Sequence, residues 1–200
     1  MSKIQANQIQ HTQNGAAVFT LPTSDGSTGQ VIKTDGSGAL SFVAQPTAGI
    51  TMADQWRINS NFNSQNEVIS FNWERVDNSF AGIGTGMSYS SGVFSFPQTG
   101  IYYVEFHAGM YLSSDSARYA GINLQFTEDN SNYTTRAEGY GLITNNSTSY
   151  IQAQVKYILD ISDISNRKVR FKTDSEKTLG YAGSSVENRT VATFIRLGDT

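Results

Sequence analysis

Cysteine is absent from this 200-residue chain. No disulfide framework and no thiolate metal site can therefore exist, and the redox compartment is left open. Proline is scarce at 3 residues, and charged residues make up only 16%, with a formal net charge of -3. That balance argues against a nucleic-acid binder, which needs a basic face to displace counterions from phosphates. It equally argues against polybasic attachment to a membrane. Long Ala/Leu/Glu/Lys stretches are missing, which argues against extended helices and coiled coils. No apolar run is long enough to insert across a bilayer as a helix. The start, Met1-Ser2-Lys3-Ile4-Gln5-Ala6-Asn7-Gln8, lacks the apolar region of a secretion signal. The expectation is a soluble chain made in a cytoplasm, able to leave by lysis or as part of a particle.

What the sequence does have is glycine, 18 residues, and aromatics, 12%. With little proline, this predicts many short strands and tight turns. The most informative stretch runs from Gly92 to Leu112. A short strand (Val93, Phe94, Phe96) ends at Pro97, which cannot donate a ladder hydrogen bond. A turn at Gln98-Thr99-Gly100 follows, then a long alternating strand. Tyr102, Val104, Phe106, Ala108, Met110 and Leu112 fall on one face and can fill a core. Ile101, Tyr103, Glu105, His107 and Tyr111 fall on the other. That second face is too apolar and aromatic to meet water alone. Either loops of the same chain cover it, or another copy does; closed symmetric oligomers are the common solution.

Further strands are predicted from residue 56 onward. They are Trp56–Ile58, Val68–Val76 (Ile69, Phe71 and Trp73 on one face), Phe80–Tyr89, and Arg118–Phe126 (Ala120, Ile122, Leu124, Phe126). Tyr133–Ile143 is weaker and contains glycine. Tyr150–Ile161 is strong, with Ile151, Ala153, Val155, Tyr157, Leu159 and Ile161 together. Lys168–Thr173 turns Val169 and Phe171 inward. Thr190–Leu197 closes the chain, with Val191, Thr193, Ile195 and Leu197 opposite Ala192, Phe194 and Arg196. About ten strands joined by Asn/Ser/Asp/Gly loops predict an all-β, antiparallel two-sheet sandwich.

Residues 1–49 differ in texture. They are rich in Gln, Asn, Thr, Ser and Gly, with apolar stretches at Ala16–Leu21, Gly29–Thr34 and Ala39–Val43. Asp25-Gly26 and Asp35-Gly36 are turn signals. Too few apolar residues are present for a core. The segment is either disordered or packed with other copies around a common axis. The regular strand-like spacing favours packing. Ala44–Gly49 reads as a boundary, giving an N-terminal attachment and trimerisation segment, 1–49, and a head, 50–200.

Chemical motifs are few. Neither His11 nor His107 belongs to a metal-binding His pair. No Gly-x-Ser-x-Gly elbow and no phosphate-binding Walker loop occurs. Gly82-Ile83-Gly84-Thr85-Gly86 lacks the spacing of a dinucleotide loop and reads as a strand bend. Glu67, Glu74, Asp77, Glu105, Asp115, Glu128 and Glu138 could in principle supply paired acids for glycoside hydrolysis, but solvated loop charges are the plainer reading. Asp160–Asn166 fails the EF-hand pattern. Asn132-Tyr133-Thr134 and Asn188-Arg189-Thr190 match glycosylation acceptors, which carry no meaning without a secretion signal. No cofactor is expected, and the chain is not expected to be an enzyme. Tyr89, Tyr119, Tyr133, Tyr140 and Tyr181 lie in or near polar, glycine-containing loops. Such rigid aromatics amid adaptable hydrogen-bonding groups suit recognition, and tyrosine faces stack on sugar rings.

The order of Gly92-Val93-Phe94-Ser95-Phe96-Pro97, Thr99-Gly100-Ile101-Tyr102-Tyr103-Val104 and Thr193-Phe194-Ile195-Arg196-Leu197 resembles the complement globular head and tumour-necrosis-factor superfamily. A closer resemblance is to C-terminal domains of fibre-like proteins of marine tailed bacteriophages. It is carried by Asp54-Gln55-Trp56-Arg57, Asn72-Trp73-Glu74-Arg75-Val76, Gly84-Thr85-Gly86-Met87, Ser91-Gly92-Val93-Phe94 and Phe194-Ile195-Arg196-Leu197-Gly198-Asp199-Thr200. Leu21–Val31 and Lys33–Phe42 are similar to linkers of phage fibres. The resemblance implies a ten-stranded jelly roll that assembles as a homotrimer. Ile101, Tyr103, Glu105, His107, Tyr111 and Phe194 would then lie at the subunit interface, and Tyr119, Tyr133, Tyr140 and Tyr181 in receptor-facing loops. It implies a virion structural protein, made in the host cytoplasm and carried on the virion exterior as a tail fibre or adhesin. Its partners would be its own copies, another virion protein at the N-terminal segment, and a host surface glycan or protein, with no nucleic acid and no membrane insertion. The alternative is a capsid-decoration, collar or baseplate protein with the head as a stabilising cap. Some relatives bind calcium near the trimer apex, so a loop cation site stays open.

Overall fold

A computed structural model describes residues 6–10, 18–45 and 49–200. His11, Ala16, Ala17 and residues 46–48 of the predicted boundary lie outside the described residues. The chain divides into two compact units, Met1–Gly49 and Ile50–Thr200.

In the first unit, β1 (Gln8–Gln10) pairs antiparallel with β2 (Val18–Thr20), and β3 (Gln30–Thr34) with β4 (Leu40–Ala44). A single parallel bridge joins Thr20 to Ala39. Asp35 makes the β3–β4 turn: its Oδ1 accepts from the backbone of Ser37 (2.8 Å) and Ala39 (3.0 Å). All residues of β1, β2 and β3 are exposed, Ile9, Phe19 and Ile32 included. The apolar stretches therefore form strands without forming a core, as their small number dictates.

The second unit is all-β. Its strands are β5 (Met52–Ile58), β6 (Phe62–Ser64), β7 (Trp73–Arg75), β8 (Ser88–Ser90), β9 (Val93–Ser95), β10 (Gly100–Leu112), β11 (Ala117–Thr127), β12 (Thr134–Ile143), β13 (Ser149–Ile161), β14 (Lys168–Ser175), β15 (Leu179–Tyr181) and β16 (Thr190–Gly198). One sheet has seven strands. β10 lies at its centre, with β13 along its full length on one side. On the other side β16 leads on to β5 and β7, and near the end of β10 β15 leads on to β6. The other sheet has the order β12-β11-β14-β9-β8. All named pairings are antiparallel.

The alternation in β10 does what its pattern requires. Tyr102, Val104, Phe106, Ala108 and Met110 are buried between the sheets, while the intervening side chains from Ile101 to His107 are only half-buried. Phe106 stacks on Phe171 of β14 at 4.4 Å, and Phe94 meets Phe194 at 5.1 Å. Each such ring, removed from water, contributes roughly 1.5–3 kcal/mol. Glycines close the sandwich at one side. A Cβ at Gly139 of β12 would lie 2.7 Å from the carbonyl oxygen of Gln154 in β13. The glycines that weaken this strand in the sequence thus permit the close approach of another backbone.

Two predicted strands are shorter than expected. Within Val68–Val76 only Trp73–Arg75 is a strand. Asn72 has φ 60°, a left-handed conformation that asparagine tolerates. Phe71 accordingly faces solvent while Ile69 and Trp73 stay in the core. Within Phe80–Tyr89 the strand begins only at Ser88, and Ile83 makes one bridge to Ala53. β6 and β15 were not predicted; each has three residues, too few to show a period.

Candidate interaction surfaces

The register of the seven-stranded sheet fixes which side chains share its outward face. Ala53, Ile195, Tyr103 and Ile158 form one row across β5, β16, β10 and β13. Gln55, Thr193, Glu105 and Lys156 form the next, and Arg57, Val191, His107 and Gln154 the third. The first row is apolar. Leu197 and Ile101 extend it at one end, and Tyr111 and Tyr150 stand at the other end of the face, 5.9 Å apart. Ile158 is 59% exposed, Leu197 54% and Tyr150 78%.

Hydrogen bonds link the middle row to both neighbouring rows. Glu105 accepts from the hydroxyl of Tyr103 and from Nε2 of Gln154. The hydrogen bond to Glu105 pushes the Tyr103 phenol up to about 12. Gln55 Nε2 donates to Thr193 Oγ1 at 3.0 Å. Burial pulls His107 below its ordinary value, and the nearby Glu105 opposes that shift. Arg57 is fully buried, held by Glu74 at 2.7 Å and Asp77 at 2.6 Å.

Ile101, Tyr103, Glu105, His107 and Tyr111 thus lie on one face. Phe194 does not. It is fully buried between the sheets against Phe94 and Phe171, because it falls in phase with Ala192 on β16. The side chains that β16 turns outward are Val191, Thr193, Ile195 and Leu197. The alternation in the sequence already separated the two sets, and only the choice of set needed the partner strands.

The four candidate receptor tyrosines do not form one site. Tyr181 is buried in β15, stacked on Phe62 at 5.1 Å, with its hydroxyl donating to the Gly121 carbonyl at 3.2 Å. It is a core residue, in a strand too short to be read from sequence. Tyr133 is half-buried just before β12, with the Arg170 guanidinium 3.9 Å above its ring. Tyr119 of β11 and Tyr140 of β12 come together on the outward face of the five-stranded sheet, ring centroids 6.0 Å apart at 85°. Tyr140 donates its hydroxyl to Asp174 Oδ2 at 2.6 Å. Burial, followed by Asp174, raises the Tyr140 phenol well above its ordinary value.

The candidate acids are mostly tied up in ion pairs. Glu74 and Asp77 hold Arg57, Asp115 holds Lys177 at 2.6 Å, and Glu128 faces Arg136 at 3.4 Å. Asp163 closes its own turn, accepting from Ser165 N at 2.8 Å and Asn166 Nδ2 at 2.7 Å. Among the described residues no group of three or more His, Asp or Glu side chains is placed to hold a metal ion. Among the described residues no helix is long and apolar enough to cross a membrane.

No family model matches the sequence, and no curated protein matches it. Solved structures do match its shape. The tumour necrosis factor Eiger of S. frugiperda superposes with a TM-score of 0.61 at 12% identity, covering 76% of this chain and 96% of that one. Murine APRIL at pH 5.0 superposes with a TM-score of 0.54 at 13% identity, covering 73% and 98%. The fold is a TNF-like jelly roll. At these identities the likeness is one of fold alone. The jelly roll accounts for the pairing of the first and last strands of this unit: β16 lies between β10 and β5 in the seven-stranded sheet.

Proposed function

We propose that this chain is a non-enzymatic structural protein of a tailed-bacteriophage virion, a homotrimeric adhesin whose heads bind the host surface. The observation that carries the trimer is the outward apolar face of the seven-stranded sheet. Its own loops leave Ile158, Leu197 and Tyr150 largely exposed. Exposed apolar side chains at both ends of one sheet face suit an interaction site, and a second and third copy are the simplest partners that present a matching surface. The TNF-like fold supports the same reading. Glu105, Gln154 and Lys156 would give this interface a polar centre within an apolar surround. The bacteriophage assignment is supported by the motifs between Asp54 and Thr200 and by the linker-like segment Leu21–Phe42.

Residues 1–49 are assigned to attachment. Their exposed apolar side chains, Ile9, Phe19 and Ile32, need a partner to cover them. Three heads on one stalk, repeated on a particle, turn weak contacts into strong avidity. The same exposed strands favour a second reading, docking on a capsid, collar or baseplate with the head as a cap. Electron microscopy of labelled particles separates a distal fibre tip from a shell or neck position.

Light scattering on the purified chain should give three chain masses at micromolar concentration, and the purified protein should compete with particles for host adsorption. A monomer with that sheet face in water would overturn the trimer. Unchanged host range after exchange of residues 50–200 would overturn the adhesin.

A further inference from the structure

The outward face of the five-stranded sheet carries a cluster that trimer formation does not use. Register places Tyr140, Gly121 and Asp174 in one row across β12, β11 and β14. Gly121 has no side chain, and a Cβ there would lie 2.3 Å from Cδ1 of Tyr140. The Tyr140 ring therefore lies across the middle strand and reaches Asp174 on the far one. Tyr119 and Asn123 flank Gly121 on the same face, two residues to either side. Tyr119 stands almost perpendicular to Tyr140. Asn123 is 4% exposed; its Nδ2 donates to Asp174 Oδ2 at 3.1 Å, while its Oδ1 is buried without a partner. Tyr119, Tyr140 and Asp174 line an open depression of about 360 Å³, within the usual size of small-ligand sites.

Three features of this cluster bear on its ligand. Tyr140 is 47% exposed even though its hydroxyl is already bonded. What it offers is an aromatic face and not a donor. Asp174 receives both its donors on Oδ2, and among the described residues no donor reaches Oδ1. A free carboxylate oxygen beside an exposed ring can accept a ligand hydroxyl while the ring covers C–H groups. Beside Asp174, the buried Asn123 oxygen is left without a partner, a polar group that a native fold rarely leaves unsatisfied. In the next row Glu138 and Lys172 stand on either side of Asn123, so their charges offset. Acceptors and aromatic faces without a net charge from that row suit an uncharged, hydroxyl-bearing ligand.

We infer that Tyr119, Tyr140, Asp174 and Asn123 form a subsite for a neutral pyranose, with the sugar's C–H face on the tyrosines and its hydroxyls on Asp174. This rests on the adhesin reading for its biological use, and it names the receptor chemistry as an uncharged glycan. A single sugar held by two tyrosine rings and one carboxylate in an open depression binds weakly, and the trimer's avidity would make the contact effective.

The test is saturation-transfer NMR on the full-length protein with the methyl glycosides of glucose, galactose and mannose, and glucuronic acid as the anionic probe. Transfer to the ring protons of at least one neutral glycoside is expected, and none to glucuronic acid. Tyr140→Ala and Asp174→Asn, both at the surface and checked for fold by circular dichroism, should each reduce that transfer at least severalfold. No transfer from any neutral glycoside, or transfer untouched by both substitutions, overturns the subsite. Binding of choline without any glycoside would make the perpendicular tyrosines a cation cage and overturn it as well. The same variants in the host-adsorption assay separate the two readings. Adsorption undiminished in Tyr140→Ala overturns the sugar site and leaves the adhesin standing. Glycoside transfer lost on substitution, with no host adsorption, upholds the sugar site and counts against the adhesin.

Discussion

Asp54 is buried on the core side of β5, and its carboxylate gathers an unusual number of donors. Met87 N reaches Oδ2 at 2.7 Å, Trp56 Nε1 at 2.9 Å and Arg75 at 3.1 Å. These contacts tie β5, β7 and the loop before β8 together, and Arg75 also lies 4.9 Å from the Trp56 ring. Asp54→Ala leaves the buried Met87 amide and the half-buried Trp56 indole without their acceptor, so a loss of about 3 kcal/mol is expected in urea unfolding. Phe194→Ala tests the placement of that ring. A core residue loses roughly 3–5 kcal/mol of folding stability, whereas a residue used only between subunits would lower the oligomer mass and leave subunit stability intact. His107 sets a pH dependence. Its folded value lies below the unfolded one, near 6.5, so the unfolded chain binds more protons between the two. Stability contributed by the neutral imidazole is present above that pH and is lost as pH falls. His107→Gln should flatten the decline in denaturation midpoint from pH 7 downward, by a modest amount because the ring is only half-buried. Asp54 and His107 illustrate how unevenly sites read from sequence. The Asp54-Gln55-Trp56-Arg57 run could be quoted as a motif, but its hub role needed Met87, brought in from a distant loop.

β16 is the element on which the seven-stranded sheet depends. It pairs with β10 from Thr190 to Gly198 and with β5 from Val191 to Arg196. Removing residues 190–200 strips both neighbours of their ladders and removes Ala192 and Phe194 from the core. Loss of the strand signal in circular dichroism and insoluble expression are expected. Removing only Asp199 and Thr200 deletes one exposed ion pair, with Arg196, and should cost under about 1 kcal/mol. Long alternating strands such as β10, β13 and β16 were legible because the period of two persists over many residues. β6 and β15 were not, and Tyr181 was misplaced with them, since three residues show no period. The segment before β7 was read as strand because its apolar residues alternate. A left-handed Asn72 breaks the ladder there, and alternation alone does not reveal φ.

At the scale of the whole molecule, the proposed trimer rests on the exposed side chains of β13 and β16. Ile158→Glu and Leu197→Glu lie on the outward face at mostly exposed positions, where substitutions usually change folding stability by no more than about 0.5 kcal/mol. Together they should convert a three-chain particle to single chains by light scattering, with circular dichroism unchanged. An oligomer that survives both changes would place the interface elsewhere.

The sequence by itself determined that the chain is all-β, which strands are long, and which residues of β10 face a core, because side-chain alternation is a local consequence of strand geometry. It also separated the two faces of β16. Tertiary structure alone decided which of those faces is inside, that Tyr181 is core, and that Tyr119, Tyr140 and Asp174 meet. Those facts depend on register between strands far apart in the chain, and on glycines whose empty positions let one residue reach another. Neither leaves a mark in any short window of sequence.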